Sequence, residues 1–341
     1  MPAKNLDVVS IGEILIDFVG SPKGFPLAEV TDFRCAAGGG PANVAVGVAR
    51  LGGRAGFIGK VGRDAFGDYL QQALEENGVD TRGLLRDDEA NTTLVFVALN
   101  EKAVPEFVFF RHGTADTRLA PGELPPEVLE ETRILHFSSV SLTVEPARSA
   151  TMEAVRLARA AGAIISFDPN LRLSLWPDRE TAREKILQAA AKADIIKLNE
   201  EELAFLTGCS ILADGIEALL SGKLFSGELS TDQCTGVKGP RLIAVTRGAA
   251  GAVLYRQGLP VEIPALPVNA VDTTGAGDAF MAGMLVVMAE AIRQGLNVEA
   301  LAPSWIERLG RWGIVAAALT CTRTGVIPAL PTKEEVAKLA T

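Results

Sequence analysis

A glycine-flanked aspartate at the predicted start of an apolar helix is the most chemically suggestive feature of the sequence. Residues 271–280 read VDTTGAGDAF, so Asp278 directly follows Gly275, Ala276 and Gly277. Glycines permit a tight turn and leave peptide N–H groups unshielded at a helix start, where the helix dipole also favours anions. In phosphoryl transfer, such amides hold the phosphoryl oxygens while a nearby carboxylate accepts the alcohol proton. The structural alternative is an ordinary glycine turn with an acidic first-turn residue.

The composition indicates an ordered globular protein that binds neither nucleic acid nor membranes. The 341 residues are 48% hydrophobic and 22% charged, which supplies a core for one large α/β domain or two smaller ones. A net charge of −9 argues against nonspecific binding to nucleic acid or anionic membranes. The longest apolar helical run, residues 279–289, is too short to span a bilayer, and Glu13 and Asp17 interrupt the first apolar run. We therefore expect a cytoplasmic protein.

The sequence lacks the residues or motifs that several other kinds of functional site require. Its four cysteines, at positions 35, 209, 234 and 321, form no CxxC pair, so we interpret them as reduced thiols. Two histidines offer little basis for a His-rich metal site or a Ser-His-Asp triad. The sequence also lacks the P-loop pattern, the HRD and DFG motifs of protein kinases, and a GxGxxG motif after the first strand.

Short apolar runs alternate with helical patterns along most of the chain. The predicted strands are residues 6–11, 55–61, 134–138, 163–167, 195–198, 242–246 and 252–255. The predicted helices are residues 41–51, 66–77, 146–161, 179–193, 200–206, 276–293 and 305–321. This alternation is typical of an α/β fold with a mostly parallel sheet covered by helices on both faces. In such sheets, ligands bind at the carboxyl ends of the strands.

Two segments, residues 15–33 and 93–112, break the alternation and read as strands. The second predicts a hairpin, with a charged turn at Glu101 and Lys102 between two apolar runs. We predict a small antiparallel sheet that covers a substrate, a partner subunit or both, the alternative being an extension of the core edge. Residues 221–239 are rich in Gly, Ser and Thr, and we interpret them as a surface loop without assigned chemistry.

Sequence motifs along nearly the whole chain resemble those of the ribokinase-like (pfkB) sugar kinases, and fructokinases in particular. Besides residues 271–280, they are GEILIDF at 12–18, GGGPANVA at 38–45, GKVG at 59–62, FDPNLR at 167–172, KLNEEE at 197–202 and GVIPALP at 325–331. The resemblance implies a ribokinase-like three-layer α/β/α fold with a mostly parallel central sheet and a small β-sheet lid. It implies one kinase domain over residues 1–341, with lid strands at approximately residues 13–37 and 92–116.

The resemblance also implies a set of sugar-binding residues: Asp17, Gly39, Gly40, Asn43, Arg111 and Arg172. A carboxylate accepts hydrogen bonds from a diol, glycines allow the backbone to approach a sugar, and a guanidinium binds pairs of oxygens. The structural alternatives are an exposed edge-strand charge, a simple turn and surface arginines. Many fructokinases carry Ala where this sequence has Gly40, and we expect that difference to have little effect.

The implied cofactors are ATP, Mg²⁺ and, as in many relatives, K⁺. The resemblance assigns nucleotide binding to Asn199, Thr246, Gly248 and Gly251, magnesium to Glu202, and a monovalent cation to Asp272 and Thr274. One carboxylate acting through water is enough for a magnesium ion that keeps its hydration shell. The alternatives are a glutamate-rich first helical turn for residues 199–202 and a β-turn for residues 246–251. Residues 313–325 would lie under the adenine.

As a whole, the resemblance implies an ATP-dependent sugar kinase, closest to fructokinase, that converts ATP and D-fructose to ADP and D-fructose 6-phosphate. Asp278 would be the base, and Gly275, Ala276 and Gly277 would form the anion hole. The alternatives are a kinase for 2-keto-3-deoxygluconate or for another sugar or nucleoside, and a kinase-like scaffold without catalysis. Its partners would be the sugar, ATP and a second copy of the chain, in a homodimer formed through the lid.

Overall fold

The computed structural model describes residues 4–21, 24–99, 105–222, 224, 239–256 and 259–340. Most of the predicted loop 221–239, with Cys234, and the predicted turn at Glu101 and Lys102 lie outside the described residues. The strands are β1 (Leu6–Ile11), β2 (Leu15–Ser21), β3 (Asp32–Gly38), β4 (Ala55–Gly62), β5 (Asp80–Asp87), β6 (Leu94–Leu99), β7 (Pro105–Phe110), β8 (Thr132–Ser138), β9 (Ile164–Asp168), β10 (Ile195–Asn199), β11 (Leu242–Thr246), β12 (Ala252–Arg256) and β13 (Leu259–Ile263). The helices are α1 (Gly40–Arg50), α2 (Ala65–Glu76), α3 (Pro126–Glu131), α4 (Ala147–Ala160), α5 (Arg179–Ala190), α6 (Glu200–Thr207), α7 (Leu212–Leu220), α8 (Ala276–Arg293), α9 (Pro303–Cys321) and α10 (Lys333–Ala337).

Nine of the described strands form one large sheet in the order β5-β4-β1-β8-β9-β10-β11-β12-β13. The pairs from β5 to β11 are parallel, and β12 and β13 add an antiparallel edge. Central strands such as β1 are buried along their whole length. Because helices cover both faces, these strands read as continuous apolar runs rather than as alternating patterns. The predicted α/β class with a mostly parallel sheet is therefore confirmed.

Two apolar cores lie on opposite faces of the large sheet. Neighbouring residues of β1 point into different cores, Val8 into one and Val9 into the other. The first core is closed by α1, α2, α8, α9 and α10. The second is closed by α3 to α7, and contains the stacked rings of Phe137 and Phe167, whose centroids are 4.7 Å apart. Two layers of helices around one sheet make the three-layer α/β/α arrangement that the sequence predicts.

A second, four-stranded sheet stands beside the large one, with strand order β3-β2-β6-β7. Its strands fall within the segments predicted for a lid. The prediction of an antiparallel sheet was partly wrong, because β2 and β6 pair in parallel. Both strands follow parallel strands of the large sheet, β1 and β5, after short connections. They leave the same edge in the same direction, so they meet side by side in parallel.

The elements that the sequence reading missed have weak local signals. Strand β5 reads DTRGLLRD, and its charged side chains belong to an edge strand that has only one neighbour. Helix α3 has six residues and α7 nine, which gives few turns in which to detect a helical period. No single helix among the described residues is long and apolar enough to cross a membrane. Within the same residues, the bent pair of α6 and α7 is the one combination whose length and composition would allow it.

Helices α8 and α9 pack closely through glycines, which fixes the helix that carries Asp278. A Cβ on Gly283 of α8 would lie 2.6 Å from the carbonyl oxygen of Trp312, and one on Gly313 of α9 would lie 2.8 Å from the ring of Phe280. Contacts this short leave no room for a side chain without separating the two backbones.

We predict that Gly283→Val lowers the free energy of unfolding by about 2 kcal/mol or more, because the added atoms force α8 and α9 apart. Urea denaturation followed by circular dichroism measures this change. The matched control is Gly122→Val, since a Cβ at Gly122 meets no atom within 4 Å. Equal stability of the two variants would contradict the close packing of α8 on α9.

Candidate active site

Helix α8 begins with a left-handed glycine that opens its first turn. Gly275 has φ 78°, and a Cβ there would lie 2.4 Å from Cγ1 of Val326, so conformation and space both require glycine. Ala276 donates its N–H to a preceding carbonyl at 3.2 Å. Within the described part of the chain, the N–H groups of Gly277 and Asp278 have no backbone acceptor. The helix start therefore offers free donors that fit an anion such as a phosphoryl group.

The carboxylate of Asp278 is buried in the first turn of α8, with 9% of the residue exposed. Its Oδ2 accepts a hydrogen bond of 2.8 Å from Nδ2 of Asn43, at the start of α1. Burial raises the pKa of Asp278 to about 6, the charge of Asp168 also raises it, and Asn43, Lys197 and Arg172 oppose the rise. Asp278 is therefore mostly ionised at neutral pH and has a basicity suited to accepting a proton.

Asp278 lines a cleft of about 580 Å³ between the small sheet and the carboxyl edge of the large sheet. Seven of the ten predicted catalytic and sugar-binding residues border this cleft, all except Arg111, Ala276 and Gly277, and so does one predicted cation ligand, Thr274. The lining residues are Glu13, Leu15, Asp17, Gly39, Gly40, Asn43, Val95, Phe107, Phe109, Val140, Asn170, Arg172, Thr274, Gly275, Asp278 and Val326. The small sheet contributes apolar side chains and one carboxylate, whereas the large-sheet side contributes most of the polar groups.

Asp17 is the carboxylate that the small sheet contributes. A Cβ at the neighbouring Gly38 would lie 2.0 Å from Oδ2 of Asp17, so glycine at position 38 makes room for this side chain. Burial raises the pKa of Asp17 to about 7, the nearby positive charge of Arg172 opposes the rise, and the charge of Asp278 adds to it. Arg172 itself lies over the ring of Phe107, 5.6 Å from its centroid. The geometry thus brings Asp17, Arg172 and Asp278 to one cleft.

Gly39 and Gly40 form the turn that leads into α1. Gly39 has φ 108°, and a Cβ on it would lie 2.5 Å from the carbonyl oxygen of Glu13. Gly40 donates its N–H to Oε1 of Glu13 at 3.2 Å. A Cβ on Gly40 would lie 2.6 Å from Nδ2 of Asn170, on the cleft wall. Alanine at position 40 would require the Asn170 amide to move, and the expectation that this difference has little effect stays a prediction.

Arg111 does not border the cleft, in contrast to Arg172. Its Nε donates to Oδ2 of Asp116 at 2.7 Å, and its Nη1 donates to the hydroxyl of Thr143 at 2.8 Å. The side chain is buried beneath the end of β7, where it ties the small sheet to the main body. Its Nη2 is buried without a hydrogen-bond partner among the described residues. A sugar contact by Arg111 stays a prediction, and the observed contacts give it an anchoring role.

The predicted nucleotide-binding residues lie together at the carboxyl ends of β10 and β11. Asn199 and Thr246 are direct partners in the register of these strands. Gly248 and Gly251 follow in the turn to β12, with φ 53° and 91°. A Cβ on Gly251 would lie 2.1 Å from a carbonyl of β13, so the turn itself requires this glycine. These residues share the edge of the sheet that carries the cleft, but they do not line it.

Glu202 closes the start of α6 in a reciprocal cap with Asn199. Asn199 Oδ1 accepts from the N–H of Glu202 at 2.7 Å, and Glu202 Oε2 accepts from the N–H of Asn199 at 2.9 Å. Glu202 Oε1 also accepts from the N–H of Leu171 at 2.9 Å. A carboxylate oxygen has a further lone pair, so a hydrated magnesium ion fits Glu202 through water. No group of three or more His, Cys, Asp or Glu side chains in the described residues forms a ready metal site.

Asp272 and Thr274 lie in the turn before α8. Asp272 Oδ1 accepts from the N–H of Thr274 at 3.0 Å, and its Oδ2 accepts from the N–H of Gly325 at 3.1 Å. The carboxylate therefore fastens the turn to the segment that follows α9. Monovalent-cation binding at this turn stays a prediction.

The sequence reading missed four polar residues of this region: Glu13, Asp168, Asn170 and Lys197. Glu13 and Asn170 line the cleft, and burial raises the pKa of Glu13 to about 7, which the charge of Arg111 opposes. Asp168 and Lys197 form a buried ion pair of 2.8 Å behind Asp278. The positions of Asp168 and Lys197 in the sequence could have indicated a functional role. Asp168 ends β9 and Lys197 stands near the end of β10, and parallel sheets bind ligands at the carboxyl ends of their strands.

Comparison with known proteins identifies the family. The profile of the pfkB family carbohydrate kinases matches residues 5–333. A probable fructokinase-4 of Arabidopsis thaliana is 42% identical over 332 residues, which cover 97% of this chain and 96% of that protein. The crystal structure of a fructokinase with bound ATP from Xylella fastidiosa matches with a TM-score of 0.84 at 33% identity, and covers 98% of both chains. A Vibrio cholerae fructokinase double mutant with bound fructose, ADP and potassium ion matches with a TM-score of 0.82 at 29% identity over the full length of both chains. Together with the fold and the arrangement around Asp278, these matches show that the chain belongs to the pfkB family of carbohydrate kinases.

Proposed function

We propose that this protein is an ATP-dependent fructokinase, a phosphotransferase that converts ATP and D-fructose to ADP and D-fructose 6-phosphate. The observation that carries the proposal is the position of Asp278, whose carboxylate faces the cleft from a helix start with free N–H donors. The similarity to fructokinases over nearly the full length supports the choice of sugar. In this proposal, residues 1–341 act as one cytoplasmic kinase domain.

In this proposal, several residues of the cleft each make a different contact with the sugar. Asp17 accepts hydrogen bonds from sugar hydroxyls on the lid side, and the Gly39-Gly40 turn lets the backbone approach the ring. Arg172 supplies positive charge for the phosphorylated product. Asn43 holds the Asp278 carboxylate at 2.8 Å, so that its free oxygen faces the hydroxyl to be phosphorylated. Asp278 then accepts the proton of that hydroxyl, and the N–H groups at the start of α8 hold the phosphoryl oxygens.

ATP supplies the phosphoryl group when bound. We place its phosphates along the edge formed by Asn199, Thr246, Gly248 and Gly251. Glu202 would hold magnesium through water, because its two oxygens already accept backbone hydrogen bonds. The turn at Asp272 and Thr274 is our candidate for potassium, which the Vibrio cholerae relative binds.

The small sheet acts as a lid in this proposal. Leu15, Val95, Phe107 and Phe109 present an apolar surface to the cleft. Closure over a sugar would remove water from the reacting groups, which strengthens their electrostatic interactions and limits hydrolysis of ATP.

The outer face of the lid supports a homodimer. Phe18, Phe33, Phe96 and Phe110 form a row of ring contacts across all four strands, with centroid distances of 5.0 to 5.5 Å. Phe110 is 59% exposed at the end of this row. We infer that a second copy of the chain covers the Phe110 end of this row, because Val108 on the same face of β7 is also exposed, and exposed apolar side chains that lie together are typical of an interface.

We predict that the purified protein releases ADP with D-fructose and far more slowly with ribose, 2-keto-3-deoxygluconate or adenosine. A coupled assay of ADP release measures all four at equal concentrations.

Asp278→Asn should keep the fold but lower kcat by a factor of about 10² to 10⁴, because the variant loses the proton acceptor. The control is Asp68→Asn, another first-turn aspartate, on the exposed side of α2. Preference for another compound would reassign the substrate, and full turnover by Asp278→Asn would remove Asp278 as the base.

We predict that kcat/KM for fructose falls as the pH drops through about 7 to 6, the range of the raised pKa values of Asp17 and Asp278. Both groups act as carboxylates, so protonation at lower pH removes a sugar acceptor and the base. A pH series from about 5 to 9 at constant ionic strength tests this. A profile that stays flat down to about pH 5 would show that neither group must ionise in this range.

We predict that Phe110→Asp converts a dimer to a monomer, because a charge in the aromatic row cannot be buried against a second copy. Light scattering after size-exclusion chromatography measures the mass in solution. Ile211→Asp is the matched control, since Ile211 is 60% exposed and lies at the start of α7, outside the lid sheet. Loss of the dimer in both variants, or in neither, would argue against the lid as the interface.

A further inference from the structure

Lys197 is a buried cation that lies against the first turn of α8. The residue is only 6% exposed, although it carries an ammonium group. Its Nζ donates to Oδ2 of Asp168 at 2.8 Å. A Cβ on Gly277 would lie 2.8 Å from the same Nζ, so the ammonium touches the helix turn that presents the free N–H groups.

This location is electrostatically unusual. A helix start carries partial positive charge, so a cation there is unfavourable unless negative groups offset it. The offset comes from the carboxylates of Asp168, Glu202 and Asp278, which all raise the pKa of Lys197 against its burial. Beneath the ammonium, burial and the charge of Lys197 lower the pKa of His136 to about 3, so that histidine is neutral. Lys197 is therefore the buried cation that balances the carboxylates of Asp168, Glu202 and Asp278.

The groups that face Asp278 come from four parts of the fold. Asp168 and Arg172 stand at the end of β9 and just after it, Lys197 stands on β10, Asn43 on α1 and Asp17 on the lid strand β2. Lys197 and Arg172 lower the pKa of Asp278, whereas Asp168 raises it. The two members of the Lys197–Asp168 pair therefore act on the base in opposite directions.

We propose that Lys197 is a positioning residue that keeps the base Asp278 ionised, and that the negative charge of its ion-pair partner Asp168 opposes this effect. The inference rests on the proposed function, because it assumes that Asp278 accepts the proton of the sugar hydroxyl. Without Lys197, Arg172 would remain as a cation that lowers the pKa of Asp278, and it also acts on Asp17. Asp278 would then be protonated at a pH where the wild-type carboxylate is ionised.

The test measures how kcat/KM depends on pH in Lys197→Met and Asp168→Asn. It compares the acid limb of the two profiles, which is the pH range over which activity falls on acidification. Loss of the cation should move the limb to higher pH by about 1 unit, so that most of the lost activity returns at alkaline pH. Loss of the neighbouring negative charge should move it to lower pH. A purely structural ion pair predicts no such opposition, because either substitution breaks the same pair. Limbs that stay in place, or that move in the same direction, would overturn the proposal.

Lys60→Met is the matched control, because Lys60 is another buried lysine, with its Nζ 2.7 Å from Glu123 and 3.2 Å from Asp87, outside the cleft. This control should lose stability but keep the wild-type acid limb. Lys197→Arg preserves the charge and should also keep the limb near its wild-type position. A limb displaced equally by Lys60→Met would mean that general destabilisation causes the shift, and would contradict the proposal.

A second readout does not depend on turnover. In protein labelled with ¹³C at the aspartate carboxyls, the Asp278 signal is assigned by its absence in Asp278→Asn, and its midpoint is followed by NMR. The midpoint should rise in Lys197→Met and fall in Asp168→Asn, while an unchanged midpoint would refute the proposal. If the proposed function were wrong, wild-type protein would show no fructose-dependent ADP release. Failure of the present inference would instead leave an active wild type whose variants titrate alike.

Discussion

The hydrogen bond from Asn43 to Asp278 joins two helix starts that lie 235 residues apart in the sequence. The two helices can share this bond because they pack closely, with a Cβ on Gly47 of α1 only 2.6 Å from Cβ of Ala282 on α8. The glycine turn of α1 and the glycine turn of α8 therefore meet at one carboxylate. Helix packing therefore fixes the distance between the turn that we propose binds the sugar and the turn that we propose binds the phosphoryl group, and the proposed reaction needs both.

The cleft concentrates carboxylates that burial makes difficult to ionise. Glu13, Asp17 and Asp278 all have pKa values raised mainly by desolvation. The surrounding cations are placed to moderate this effect: Arg111 beside Glu13, Arg172 beside Asp17, and Lys197 behind Asp278. Burial strengthens electrostatic interactions between a site and a reacting group, but it also favours the protonated form of these carboxylates. The three nearby cations, of which Arg111 and Lys197 are buried, therefore favour the charged form of these carboxylates.

The sequence predicted the features that depend on local pattern or on a family motif. The bounds of β1 and α8 could be read from a continuous apolar run and from the glycines before Asp278. The parallel pairing of β2 with β6 could not, because it follows from the directions of β1 and β5 in the large sheet. The role of Lys197 was hidden for a related reason. A single lysine in an apolar strand gives no sign of its partner, and only the neighbouring strand places Asp168 beside it.

The contact between Gly40 and Asn170 ties together two positions far apart in the chain. Asn170 already adopts φ 43°, an unusual conformation for a residue with a side chain, and its amide occupies the volume that a methyl group at position 40 would need. A relative with alanine there must direct this amide elsewhere, which reshapes the cleft wall without altering any charged residue. The shape of the cleft at this point therefore depends on the direction of an uncharged amide, so it can change while Asp17, Arg172 and Asp278 stay in place.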